Sequence, residues 1–172
     1  MSEAEKRLAS FIDKYNLDIG SLVRTIRARM RELFPTALEL VYDNYNALAI
    51  GYSPTEKTSQ AIFSIALYPR WVSLFFLQAA GLPDPHKRLK GSGNVAKHVV
   101  LPSAEALDDP AVRELMKEAV TRAKVAFPAQ GEHRLIVKAV SEKQRPRRPA
   151  APQKAAAGKS IAGSRKKASA RG

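Results

Sequence analysis

IFSIALYPRWVSLFFLQAAGL, residues 62–82, is long and apolar enough to be mistaken for a membrane-spanning helix. Pro69 and Arg70 fall near its middle. An arginine is costly at the centre of a bilayer, and a proline breaks a helix there. Two strands, Ala61–Tyr68 and Trp71–Leu77, joined by a Pro-Arg turn, account for the same residues without either cost. Upstream, Leu38–Val41 and Leu48–Tyr52 are also short, apolar and aromatic. YDNYN and SPTEKTS separate these segments as turns. Successive strands with short loops pair as antiparallel neighbours, so the centre of the chain reads as a β-meander and not as a membrane anchor.

Helical patterns surround the meander. Leu8, Phe11, Ile12 and Tyr15 share one face of a helix expected over Glu3–Tyr15. Asp18 is a candidate N-cap for a second helix from Ile19 to about Phe34, with Leu22, Val23, Ile26, Met30 and Leu33 inward and Pro35 as its stop. Arg24, Arg27 and Arg31 occupy another face, read either as an anion-binding surface or as an ordinary solvated face. Val95–Leu101 is a further strand candidate. A helix starts at Asp108 or Asp109 with Pro110 in its first turn, and Arg134–Val140 is a last strand. The expected class is α+β: two N-terminal helices and a C-terminal helix packed on an antiparallel sheet of about five strands.

The two sides of Trp71–Leu77 are both apolar: Trp71, Ser73, Phe75 and Leu77 on one, Val72, Leu74 and Phe76 on the other. A sheet face left to solvent would show polar alternation. The second face is therefore covered within the domain, or lines a groove, or suits a homodimer contact. Tyr42, Tyr45, Tyr68, Trp71 and Phe75 are the candidate groove residues.

LKGSGN, residues 89–94, offers a glycine-rich turn with Lys90, Gly91, Ser92 and Gly93, followed by Lys97 and His98. A phosphate-binding loop opens a helix, whereas this one runs into the β-like VAKHVVL, which excludes a nucleotide fold. What remains is a turn with glycines at positive φ, or a low-specificity anion site at Lys90–His98 of the kind a small-anion or metabolite sensor uses. The histidines, His86, His98 and His133, are far apart and show no metal-ligand spacing. Glu105, Asp108 and Asp109 cluster where a helix N-terminus itself favours acids. No nucleophile–base signature is present, so the chain reads as a non-enzymatic binding module with no cofactor and no metal site.

The order of these elements resembles the YdhG-like domain family of small bacterial proteins. The resemblance covers roughly residues 5–148. It rests on a helical start with Pro35 before an aromatic strand region, on RWVSLFFL and LKGSGNVAKHVVLPS, on a DD-P-x-V helix start and on a closing KAVSEKQRPRRP. Its sharpest part is a G-[ST]-G-K-x-x-[RK]-H-[VI] pattern, met by Gly91, Ser92, Gly93, Lys97, His98 and Val99, with Asn94 standing where a lysine is usual. The resemblance implies an α+β domain with helices packed on an antiparallel sheet. One branch is described as a frataxin-like intracellular iron chaperone, which makes iron handling the alternative function.

Charge divides the chain. The formal net charge is +13 with 45% hydrophobic and 26% charged residues. Lys143, Arg145, Arg147, Arg148, Lys154, Lys159, Arg165, Lys166, Lys167 and Arg171 lie beyond residue 142 with no acid among them. The expected organisation is a near-neutral domain over 1–142 and a disordered basic tail over 143–172, too poor in large apolar residues to fold. Such a tail attracts polyanions and suits weak, sequence-independent nucleic-acid association; it has no aromatic residue to stack on a base. The absence of cysteine excludes disulfides and thiolate chemistry. With no apolar signal-like run in MSEAEKRLASFIDKY, a cytoplasmic location is expected.

Overall fold

Ser2 opens the first helix by accepting the Glu5 N–H at 3.2 Å, and Glu3 and Glu5 place negative charge in its first turn. This helix, α1, spans Glu3–Ile12 and buries Leu8, Phe11 and Ile12; Tyr15 packs just beyond its end. The computed structural model describes residues 1–150. α2 spans Leu17–Leu33, beginning two residues earlier than its sequence suggests. Asn16, not Asp18, takes the N-cap position, while the Asp18 carboxylate accepts the Ile19 N–H at 2.9 Å within the first turn. Val23, Ile26 and Met30 are fully buried. Each contributes about 1.5–3 kcal/mol to holding the helix on the sheet.

The strands are β1 (Leu38–Asp43), β2 (Leu48–Ser53), β3 (Phe63–Leu67), β4 (Val72–Phe76), β5 (Lys97–Val100) and β6 (Leu135–Val140). Between the last two lies α3, Pro110–Thr121, with Asp109 as N-cap accepting from Ala111 N–H at 2.9 Å. The α+β class is as expected, and residues 62–82 do form two strands; among the described residues no helix is long and apolar enough to cross a membrane. The sheet departs from expectation in two details. It has six strands, ordered β5-β4-β3-β2-β1-β6, and it is mixed, because β6 pairs parallel with β1. A long crossover connection carrying a helix permits that orientation. The core lies on one sheet face, where Ile50, Ile65 and Leu74 meet the buried residues of the three helices.

Register places Glu39, Val41 and Asp43 on that same inner face, so two carboxylates enter the core side of the sheet. Neither is left alone. Glu39 accepts from Arg27 Nε and Nη2 at 2.8 Å each, from Arg31 Nε at 3.1 Å, from His133 Nε2 at 2.5 Å and from the Tyr52 hydroxyl at 2.9 Å. Glu5 of α1 closes the network, accepting from Arg27 Nη2 at 2.7 Å and from Arg31. The α2 arginine face is divided: Arg27 and Arg31 are engaged by Glu5 and Glu39, while Arg24 is solvated, as one sequence reading allows, and pairs with Asp13 at 2.7 Å.

Burial alone would raise the Glu39 pKa; the His133 and Arg27 hydrogen bonds and the arginine charges overcome it and lower it to about 2. A carboxylate whose folded pKa is depressed contributes stability above its unfolded pKa and loses it as pH falls through the folded one. Acid titration of unfolding stability should therefore show a loss of about 3 kcal/mol between the ordinary glutamate range and about pH 2, by linkage from this group. Glu39→Gln should flatten that part of the profile. An unchanged acid limb in the variant would mean that Glu39 is not the titrating group.

Candidate functional site

Asp43, the second inward carboxylate, organises the opposite end of β1. It is fully buried and accepts from Lys14 Nζ at 2.8 Å and from Arg147 Nη2 at 2.9 Å. Arg147 also donates to the Asn44 and Tyr45 carbonyls, and its guanidinium carbon lies 5.7 Å from the centre of the Tyr15 ring. Tyr15 in turn ties two strands at their ends, donating to the Leu67 carbonyl at 3.0 Å and accepting from Leu48 N–H at 3.1 Å. Burial pushes its hydroxyl pKa up to about 12, against the opposing pull of Arg147. Backbone bonds Ser141 N–H to Asp43 and Arg145 N–H to Tyr45, at 2.8 and 2.9 Å, continue the docking of the C-terminal segment.

These contacts correct the expected boundary at residue 142. Arg147 is 5% exposed, so it belongs to the folded body, and Arg145 and Arg148 are carried on the same docked segment. Lys143 is exposed beside it. The remaining members of the basic series, Lys154, Lys159, Arg165, Lys166, Lys167 and Arg171, lie outside the described residues. Subtracting those six cations from the formal +13 leaves +7 on residues 1–150.

Docking this segment creates a groove. One part, about 680 Å³, lies between the β3–β4 turn (Tyr68, Pro69, Arg70, Trp71) and Arg145, Pro146, Arg148 and Pro149. A second, about 520 Å³, runs over the outer sheet face, with Ala49, Ser64 and Ala66 as its floor and Tyr45, Phe75 and Leu77 at its sides. Asn46 and Tyr68 border both parts, so the two adjoin. The small floor residues follow from strand alternation: their neighbours Leu48, Ile50, Ile65 and Leu67 turn inward to the core.

The groove gathers four of the five aromatic residues singled out from sequence. Tyr68 and Trp71 stack with ring centroids 4.7 Å apart and planes 21° apart, and Trp71 remains 44% exposed. Tyr45 is half exposed, and Phe75 lies deeper. Tyr42 points to the same face but bonds Thr58 and does not line the groove. The Trp71/Phe75 side of the sheet is thus neither sealed by the chain nor bare. Ser73, between these two residues on β4, carries a buried hydroxyl oxygen with no hydrogen-bond partner among the described residues.

No aspartate or glutamate lines either part. Arg70 and Arg145 have no carboxylate partner among the described residues, and Arg148 donates only to the carbonyls of Lys14 and Asp13, at 3.2 and 3.4 Å. A guanidinium that meets only carbonyls keeps its full charge for an anion.

The glycine-rich segment fares differently. Lys90 and His98 face each other across an isolated antiparallel bridge, with N···O distances of 2.8 and 2.9 Å. Gly91 takes φ +115°, as a turn requires; Gly93 does not. Lys97 and His98 are adjacent on a strand and so point to opposite faces. The expected anion-binding set therefore does not converge. His98 packs against Phe75 at 5.0 Å, and burial, reinforced by the Lys90 charge, lowers its pKa, which keeps it neutral near pH 7. Ser92 and Gly93 are exposed.

Other acidic and histidine positions are also accounted for. Asp108 pairs with Arg29 and Arg113, Asp109 caps α3 and pairs with Arg88 at 2.9 Å, and His86 and Glu114 lie 3.4 Å apart. Among the described residues no group of three or more His, Asp or Glu side chains is placed to hold a metal ion. A smaller apolar cleft of about 290 Å³ between α2 and α3, bordered by Leu33, Phe34, Met116 and Val120, continues the core and carries only Arg113 and Lys117 as charges. No family model, characterised protein or solved structure matches the chain.

Sequence reasoning missed Arg145, Arg147 and Arg148 as parts of the site because they sit in a proline- and arginine-rich run of tail-like composition. The available signal was Asp43, whose parity with Val41 puts a carboxylate into the core and demands a cation.

Removing one partner of a buried pair leaves the other charge uncompensated, at about 3–5 kcal/mol. A chain ending at Glu142 should thus lose about 3 kcal/mol of stability, since Lys14 remains, whereas one ending at Ala150 should match the full chain. Urea unfolding midpoints of the three forms test this. Equal midpoints for the 142 and 150 forms would remove the clamp from the account.

Proposed function

We propose that the protein is a non-enzymatic module that associates with nucleic acid independently of sequence, and that the folded domain takes part in this together with the basic C-terminal segment. The observation that carries the reading is the groove itself: aromatic sides, three arginines and no acid. Guanidinium groups without carboxylate partners suit phosphate oxygens, and exposed aromatic rings suit bases. Ala150, the last described residue, borders this groove, and six further cations follow it in sequence.

The resemblance to the YdhG-like family points to iron handling as the other reading. It draws on the resemblance alone, since the carboxylates and histidines described above are engaged in ion pairs, caps and packing.

The nucleic-acid reading predicts a specific salt dependence. Each phosphate contact removed should reduce the slope of log affinity against log salt concentration by about 0.7–0.9. Arg70→Gln with Arg145→Gln in the full chain should therefore flatten the slope by roughly 1.4–1.8. Shortening the chain after Ala150 should flatten it further. Fluorescence anisotropy of a labelled oligonucleotide measures both. If the double variant binds with the parental slope, the groove plays no part; if the full chain fails to bind at low salt, the reading falls.

A further inference from the structure

We infer that the groove selects single-stranded over duplex nucleic acid, with Trp71 as the platform on which an unpaired base stacks. This rests on the nucleic-acid reading above and adds the form of the ligand. Three observations carry it. First, Trp71 lies at the tip of the β3–β4 hairpin, held in place by the Tyr68 N–H bond to its carbonyl at 2.9 Å and by the stacked Tyr68 ring. One ring face is thus occupied by Tyr68, and the 44% exposure of the residue leaves the remainder open to the groove. A large aromatic side chain kept exposed and pre-oriented is a stacking surface that loses little entropy on binding.

Second, the arginines sit around this ring. Arg70 is its sequence neighbour in the turn, and Arg145 and Arg148 face it across the groove. A base on Trp71 would therefore have its own phosphate and the next one within the cationic wall. In a duplex the base faces are already stacked on each other, so a ring at a hairpin tip can reach only edges or backbone. An unpaired base offers its face, and stacking of this kind does not depend on base identity.

Third, the groove is not suited to the chain's own extension. Residues 151–172 carry six cations and no acid, so the arginine wall repels them. The occupant that complements both the rings and the charge is an anionic chain with aromatic groups.

Trp71 is the chain's single tryptophan, so its intrinsic fluorescence reports on this position without a label. The test titrates the full chain at low salt with a short oligothymidylate and with a mixed-sequence duplex of equal length. Tryptophan emission and the anisotropy of the labelled nucleic acid are followed together. The expected result is saturable quenching by the single strand that tracks the anisotropy, little quenching by the duplex, and roughly tenfold weaker single-strand binding for Trp71→Ala. Trp71→Phe, which keeps a ring, should lie between. Binding of the single strand with unchanged emission and no effect of Trp71→Ala would overturn the stacking assignment while leaving the nucleic-acid reading intact. Equal quenching by the duplex would overturn the single-strand preference. Absence of binding by either at low salt would remove both readings together.

Discussion

The buried carboxylate of Asp43 governs the shape of the candidate site. A charge placed at the end of an inner-facing strand cannot stay unpaired, because its desolvation would cost several kcal/mol. Lys14 supplies one partner from the turn after α1, and Arg147 supplies the other from 104 residues further along the chain. Arg147 cannot reach Asp43 unless residues 141–148 lie along the β1–β2 turn. The same guanidinium covers Tyr15, whose hydroxyl holds the ends of β2 and β3. The two ion pairs of this one carboxylate thus fix a helix end, three strand ends and the C-terminal segment relative to one another. The groove is the space left between the parts it brings together.

Charge is sorted by layer as a consequence. Glu39 and Asp43, the carboxylates of β1, both turn inward, and each meets cations from the helices or from the returning chain. The inner arginines are all paired with these carboxylates, so they are unavailable to any ligand. The outer layer receives Arg70, Arg145 and Arg148 without acids to offset them. The net charge on the body therefore hides a separation between an ion-paired interior and a rim of cations without acid partners among the described residues. That separation, more than the total charge, gives the outer face its ability to attract anions.

How much of this was legible in the sequence depended on the range of the interaction involved. The strands around Pro69 and Arg70, the buried stripe of α2 and the Asp109–Pro110 helix start are local patterns, and local patterns were readable. The aromatic set of the groove was readable for the same reason, apart from Tyr42, whose Thr58 partner starts a single helical turn between β2 and β3. The parallel pairing of β6 was not, because nothing in Leu135–Val140 states which edge of the sheet it will join. The Lys97/His98 pair failed for a simpler cause: period-two alternation separates neighbours once the segment is a strand. Composition puts the C-terminal boundary at residue 142, whereas a contact 104 residues apart in sequence carries the folded body past it. The run Arg145–Pro149 resembles a linker in isolation, and its buried anchor is Asp43, which is remote in sequence. A buried-parity acid on a strand is a long-range demand, and its answer has to be sought across the whole chain.

The relation between groove and extension follows from where the described chain ends. Ala150 borders the groove, and the next cation, Lys154, is only a few residues further. If both bind one anionic strand, as proposed above, engagement of one would favour the other without any new contact. Their physics differs, however. Cations spaced by alanine, proline and glycine interact through counterion release and weaken steeply with salt. A ring such as Trp71 interacts through contact and desolvation, which salt screens little. An anionic strand held by both would keep its register on the body as ionic strength rises, while the extension lets go first. Under the nucleic-acid reading the two elements would therefore differ in salt response: the cationic series in sequence would weaken first, and contact with the rings would persist.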